Sequence, residues 1–493
     1  MNIRTAVYPR QLDPLREIGT WRYLWTTCVY ENALTRDANN NIVPAVCDFE
    51  LSEDQLELKL WVRDNVLFHN GDAVDIYDVE ASIKRALAMY SSIKTFVAPY
   101  VESIKVDGDV LTITFTEFKA KCLYYLAGYQ TWTAIMPKEI CEKYADDYIT
   151  DQIEDAIGTG PYKWAAYTAN EFCTIERFDD YVPFENDYTG IAKTKRAYLD
   201  SITFTYVSAD DAAALAALSG DLDMTEVMPT DYMELAEQSG LTKVSLNSDN
   251  GLAMIFNTKG TSNVCAKYPD LRKAIMAAID YEAFLEIVTD SSHIMNANPA
   301  LDPIYDTDIF NSADYYGDAD MEVVNKYLDD AKAAGYNDEP VQLVLSNSRT
   351  DIANLLTSYL DDAGINYILT MKEEASASEF YGDPANNWDF YFTWPAFAFI
   401  PTNLSASLTT NNYENPAKDA LMAEMETLSP TSEEYIAKWY ELAQMMVDDC
   451  ATAYMGRIYW FWFQPAEFHT NDEDSLIRYF FNAYWDDPEN HMA

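Results

Sequence analysis

The stretch from Met321 to Met371 constrains the fold more than any other part of the chain. Apolar residues recur at helical spacing from Met321 to Ala334, and Gly335 ends the run. Val341 to Leu345 reads as a short apolar strand. Ile352 to Ala363 is a second helical run, closed by Gly364, and Ile365 to Met371 is the next strand. Strands separated by helices of this length pair in parallel, because the crossover needs a helix to return the chain. Upstream, the strand-like Ala253-Met254-Ile255-Phe256 and a helix from Leu271 to Ile279 share the texture. From about residue 251 the chain therefore predicts an α/β layer. Two more helices, Ala417 to Leu428 and Ser432 to Asp449, are separated by Pro430, since proline is costly inside a helix.

The first half reads differently. Residues 1 to 10 begin as a short strand, and helical periodicity runs from Tyr23 to Leu34. Gln55 to Val62 alternates polar and apolar residues, as a half-buried strand does. Asn70-Gly71 is a turn. Asp78 to Ala88 is an amphipathic helix with Val79, Ile83, Ala86 and Leu87 on one stripe. Ile104 to Phe115 contains Asp107-Gly108-Asp109 between two β-rich runs, a hairpin. Gly158-Thr159-Gly160-Pro161 has no third glycine and no Gly-Lys-Ser/Thr, so it reads as a tight turn before a strand, not a phosphate loop. An Ala/Leu-rich helix spans 209 to 219 and ends at Gly220.

At 493 residues the chain has room for about three domains or lobes of ordinary size. Lys plus Arg number 33 against 81 Asp plus Glu, a net charge of −48. A phosphate polymer needs a basic footprint, so nucleic acid is excluded as a partner. An anionic membrane surface is disfavoured by the same repulsion. No apolar run reaches the length of a membrane helix. The seven cysteines contain no C-x-x-C pair and read mostly as small buried apolar residues. The four histidines are scattered, which leaves a zinc site without support. Asp314, Asp318, Asp320 and Glu322 lack calcium-loop spacing and read as a solvated face. No cofactor or metal is expected.

Several segments together resemble one family, the extracytoplasmic solute-binding proteins of ABC importers, in the oligopeptide/dipeptide-binding group (family 5). The carriers are collinear from about residue 12 to 460. Leu12-Asp13-Pro14 is followed by Tyr30-Glu31. Trp61-Val62-Arg63 through Phe68-His69-Asn70-Gly71, then Ile76-Tyr77-Asp78-Val79, is similar to W-x-x-R-x-x-x-x-F-H-D-G…A-x-D-V, with Asn70 and Ile76 departing from it. Gly158 to Tyr162 precedes Arg177 and Tyr181. Ser219 to Asp223 resembles S-G-E-x-D, and Phe256-Asn257-Thr258 with Leu271-Arg272-Lys273-Ala274-Ile275 resembles F-N-T…V-R-x-A.

The resemblance implies an α/β, two-lobed periplasmic-binding-protein-like fold (class II) with an additional α+β subdomain in the first lobe. Lobe 1 is expected over 1–252 plus 464–493, with the extra subdomain at about 35–160, and lobe 2 over 253–463. Two short crossings are expected near 252–257 and 459–464. It further implies a non-enzymatic monomer that captures a small solute in an interlobe cleft and delivers it to an ABC permease. The setting is extracytoplasmic, as a membrane-anchored lipoprotein or periplasmic protein. The first residues read as a strand rather than a leader, and this carries no cytoplasmic implication.

In peptide-binding members a strand-end W-x-x-D supplies an aspartate for the peptide's amino terminus. Here the segment runs Trp388 to Phe399, and alignment on Trp394 puts Phe397, or Ala398 after a one-residue shift, at that position. A buried ammonium needs a partner. Either another carboxylate, among Glu373, Glu374 and Asp389, serves the amine, or the solute has none there. Tyr391, Trp394, Phe397 and Phe399 offer aromatic faces. In the first lobe the wall after Asp13-Pro14 maps to Ile18, Gly19 and Thr20, with Trp21 adjacent and Glu17 near. Arg457, beside Tyr459 in an apolar run, needs a carboxylate, internal or from the solute, and Arg349 is a further solute anchor. Short peptides are the expected solute. An oligosaccharide or other neutral polar solute is the alternative, a nickel chelate ranks below it, and a glycoside hydrolase with paired carboxylates is the reading from another class.

Overall fold

The computed structural model describes residues 1–6, 11–16, 23–128, 132–226, 228–259, 263–289, 293–395, 397–398, 400–404, 413–470 and 478–486. The chain divides into two compact units, one made of Met1–Asn247 and Trp460–Ala493, the other of Ser248–Tyr459.

Among the described residues, the first unit holds two four-stranded sheets and two short two-stranded ones. Asn2–Thr5 lies parallel to Ser201–Tyr206, which continues antiparallel into Phe172–Arg177 and Tyr162–Thr168. Its alternating buried residues, Ile202 and Phe204 with Ile175 and Trp164, pack on Trp25 and Tyr162. The returning segment adds Trp462, Tyr479, Phe480 and Phe481 to the same core. The other four-stranded sheet, in the order Cys47–Leu51, Glu57–Val62, Val110–Phe115, Val101–Asp107, is antiparallel throughout. Helix Ile76–Met89 covers it with the stripe Val79, Ile83 and Ala86. Asp75 caps that helix by accepting from Tyr77 and Asp78 N–H, while Asp78 accepts from Asp75 N–H. This sheet and its helices have a hydrophobic cluster of their own.

A buried ion pair pins the Leu12-Asp13-Pro14 segment. Asp13 meets Arg85 of that helix at 2.6 Å, with side chains 0% and 2% exposed. Asp13 also accepts from Leu15 and Ile149 N–H, and Arg85 donates to the Tyr144 and Asp147 carbonyls. The pair is thus hydrogen-bonded on both sides, as a charge removed from water requires.

Helical spacing from Tyr23 to Leu34 overstates the helix, which spans Tyr23–Val29. Tertiary bonds take over beyond it: the Glu31 carbonyl accepts from Ile135 N–H, Asn32 bridges to Ala134, and Leu34–Arg36 pairs with Ile42–Pro44. The residues that follow are buried in several directions, and the periodicity there is incidental.

The second unit is built on a six-stranded sheet ordered His293–Ile294, Thr452–Pro465, Leu241–Phe256, Phe390–Thr393, Val341–Ser346, Tyr367–Lys372. Val341–Ser346 is parallel to both its neighbours, as the strand-helix alternation requires. Helices Met321–Ala333 and Thr350–Asp362 each stop two residues before the glycine expected to close them, with Gly335 and Gly364 at φ +107° and +67°. Arg272, in helix Pro269–Ala277, donates to the Asp449 carbonyl at the end of helix Glu433–Asp449 and to the Cys265 carbonyl. All seven cysteines are buried and unpaired, and burial pushes their thiols up, Cys28 to about 11.

The acidic residues Asp314, Asp318, Asp320 and Glu322 are exposed, as expected of a solvated face, and two of them also serve local structure. Asp320 caps helix Met321–Ala333, and Asp314 bonds Lys326 and Tyr327.

Candidate functional site

In the second unit several strands bring their ends to one edge of the sheet. Val341–Ser346 and Phe390–Thr393 are parallel, so both finish there. Leu241–Phe256 is antiparallel to Phe390–Thr393, with Ala253 opposite Thr393. Phe256 N–H donates to the Ala451 carbonyl and Gly251 faces the Gly456 carbonyl, so Thr452–Pro465 also runs toward this edge. Ligands of open α/β sheets settle beyond the carboxyl ends of strands, where departing loops leave side chains approachable.

Five of the sequence-predicted residues lie at or just past this edge. Trp394 follows its strand, half-buried, and meets Phe392 edge-on at 5.5 Å. The Arg349 guanidinium, in the turn after Val341–Ser346, sits 5.5 Å from the Trp394 ring centroid. Arg349 has no carboxylate partner among the described residues, although the chain carries 81 acids. Phe397 is buried, edge-on to Tyr454 at 5.1 Å, with the Arg457 guanidinium 5.7 Å from its centroid. Tyr459 is half-buried.

Among the described residues, Arg457 does not make the internal salt bridge that a buried arginine suggests. One terminal nitrogen donates to the Asn298 and Ala300 carbonyls, at 3.1 and 3.0 Å, and Nε has no partner among the described residues. Burial lowers its affinity for the proton, and the field of Asp306 opposes this. It holds the 298–300 loop against Phe397, beside which Ala300 bridges Ala398.

Tyr391 is placed elsewhere. Strand alternation turns it to the opposite face from Phe392, where it stacks on Tyr381 at 3.9 Å and packs with Trp388, Val344 and Ile255. It belongs to the packed layer beneath helix Glu374–Gly382 rather than to the group around Trp394. Gly19, Thr20 and Trp21, with Glu17 and Ile18, lie outside the described residues, as does Phe399.

Asp389 is neither an exposed acid nor an anchor for a solute amine. It is fully buried and accepts from the Cys265 and Gln342 N–H groups at 2.8 and 2.7 Å. Burial pushes its carboxyl up, against those two bonds. Asn257, of the F-N-T segment, donates to the Pro384 and Trp388 carbonyls beside it. Glu373 accepts from Ser376 N–H at the start of the following helix, a capping role.

The first unit contains a pocket that sequence reasoning missed. It is lined by Tyr30, Glu31, Arg63, Tyr181, Phe184, Lys193 and Lys195, among others, and encloses about 480 Å³ including its open mouth. Glu31, 128 residues from Thr159, joins Thr159, Tyr181 and Lys195. The only available signal was that Glu31, Arg63 and Tyr181 all fall in recognisable motifs; the two lysines fall in none.

A family model for bacterial extracellular solute-binding proteins, family 5 Middle, matches residues 41–419. The oligopeptide-binding protein AppA of Bacillus subtilis is 23% identical over 425 residues, covering 79% of this chain and 73% of AppA. An ABC transporter substrate binding protein, CtaP of Listeria monocytogenes, superposes with a TM-score of 0.79 at 18% identity, covering 99% of each chain. DppA of Helicobacter pylori, solved with the peptide STSA, superposes with a TM-score of 0.74 at 18% identity, covering 99% of this chain and 98% of DppA. These likenesses establish the α/β two-lobed periplasmic-binding fold. With the family model spanning most of its length, the chain belongs to the family 5 bacterial extracellular solute-binding proteins.

Proposed function

We propose that this protein is the capture component of an ABC importer, taking short peptides and handing them to a membrane permease without chemical change. The observation that carries the reading is the edge where Arg349 and Trp394 meet at the carboxyl ends of parallel strands. A half-buried indole offers a flat apolar face to a peptide side chain. A guanidinium without a carboxylate partner offers paired N–H donors to the peptide's free carboxylate. Phe397, Arg457 and Tyr459 form the wall beside them, and Gly19, Thr20 and Trp21 are proposed to face the solute from the first lobe. Enclosure between lobes would bury most of the guest, and closure is a population shift driven by contacts made to both. The acidic partner for an amino terminus is not supplied by Asp389, which is spent on backbone N–H groups.

The peptide names printed for AppA and DppA support this solute class. The extracytoplasmic setting follows the family, and no described helix is long and apolar enough to cross a membrane. Anchoring as a lipoprotein or release as a periplasmic protein, and the monomeric state, are parts of the proposal. Native mass spectrometry of protein purified without refolding tests it. A retained set of peptide masses is expected. A homogeneous sugar mass, or hydrolysis of added peptides or glycosides, would overturn it.

A further inference from the structure

The pocket of the first unit inverts the charge balance of the chain. Acids outnumber Lys plus Arg 81 to 33 overall, yet the pocket wall carries Arg63, Lys193 and Lys195 against the single carboxylate of Glu31. Glu31 is already engaged: Lys195 stands 3.3 Å from it, and it accepts from Thr159 and Tyr181. Arg63 is differently placed. Its Nε donates to the Ala45 carbonyl, and its guanidinium lies 3.7 Å from the Phe184 ring centroid. That stacking orients the group, and its two terminal nitrogens donate to no protein atom among the described residues. A concave wall with an excess of one sign focuses potential on what enters it.

We propose that this pocket binds a small oxyanion, a carboxylate or a phosphate in chemical class, gripped by the terminal nitrogens of Arg63 with Lys193 and Lys195 supplying field. A guanidinium held flat by an aromatic ring presents its edge, the geometry that takes two oxygens of one anion. The pocket lies wholly within one unit, so its occupancy is independent of the peptide reading.

The test is thermal unfolding and isothermal titration of the full chain with sodium phosphate and, separately, sodium acetate, against sodium chloride at equal ionic strength. Saturable stabilisation by phosphate, acetate or both is expected, and which one acts identifies the class. Arg63→Gln should weaken binding by about tenfold or more, the loss of a charge-assisted bond. Lys193→Gln, a second variant should the first fold poorly, should weaken it less. Lys332→Gln, at an exposed ion pair of the other unit, should leave it unchanged. No saturable response to either anion, or an unchanged response in both Arg63→Gln and Lys193→Gln, would overturn the proposal.

Discussion

The imidazole of His69 bridges two residues of one turn: Nδ1 accepts from Gly158 N–H and Nε2 faces the Gly160 carbonyl, both at 3.1 Å. The ring is therefore neutral with the proton on Nε2, and it ties the Phe68-His69-Asn70-Gly71 turn to the segment leading into strand Tyr162–Thr168. The two glycines are required, because a Cβ at either would overlap the Val29 or Cys28 carbonyl at the end of helix Tyr23–Val29. What resembles a phosphate loop is a backbone clamp.

Burial lowers His69 from 6.5 to about 4. Protonation is then favoured in the unfolded chain, so the stabilisation is complete above about pH 6.5 and is lost as pH falls toward 4. The expected loss across that window is about 3 kcal/mol at most. Urea denaturation between pH 7 and 4 should show this slope in wild type and a flatter one in His69→Ala, which should be less stable at pH 7. Equal slopes would contradict the assignment.

Asp13 and Arg85 are buried together, and removing one leaves the other uncompensated. Arg85→Ala should cost about 3–5 kcal/mol. The double variant Asp13→Ala/Arg85→Met should lose less than the sum of the single changes, read by denaturant midpoint. Strict additivity would show that the two charges act separately.

Gly251 lies against Phe397, and a Cβ there would overlap Cε1 and Cζ of the ring while standing 2.8 Å from the Gly456 carbonyl. Gly251→Ala must displace Phe397, at an expected cost of about 1–3 kcal/mol. Gly382→Ala, where a Cβ meets nothing within 4 Å, serves as the comparison and should cost less. The two are distinguished by thermal midpoint.

Trp394→Ala should weaken peptide binding by about tenfold or more, as loss of a buried aromatic contact does. It should leave the thermal midpoint of ligand-free protein little changed, since Trp394 is half-buried with one ring neighbour, Phe392, among the described residues. Tyr391→Ala should behave in the opposite way, with a large fall in stability from the Tyr381 and Trp388 contacts. A large destabilisation of ligand-free Trp394→Ala would mark it as core.

Most of the fold was legible because its signals are local. The Gly335 and Gly364 helix ends, the apolar stripe Val79, Ile83 and Ala86, and the strand alternation of 57–62 each depend on residues a few positions apart. The motifs that carried the family resemblance turn out to be scaffold: Asp13 with Arg85, His69 with Gly158 and Gly160, Asn257 beside Asp389, Arg272 at the end of helix 433–449. Such residues report the fold and say little about the guest. The site was less legible because its contacts are long-range. Arg349 and Trp394 meet only because their strands are parallel neighbours. Strand alternation warned that Tyr391 and Phe392 point apart, yet gave no means of choosing which faced a ligand. The burial of Asp389 depends on Cys265 and Gln342, far away in sequence, and so could not be anticipated.

The most direct measurement is calorimetric titration of short peptides, as free acids and as C-terminal amides, into wild type and Arg349→Gln. The account predicts saturable binding of the free acids, weaker binding of the amides, and no distinction between them in Arg349→Gln, with every peptide recovered intact. Equal affinity for acids and amides in wild type would remove Arg349 from the site, and absence of binding to any peptide would contradict the account as a whole.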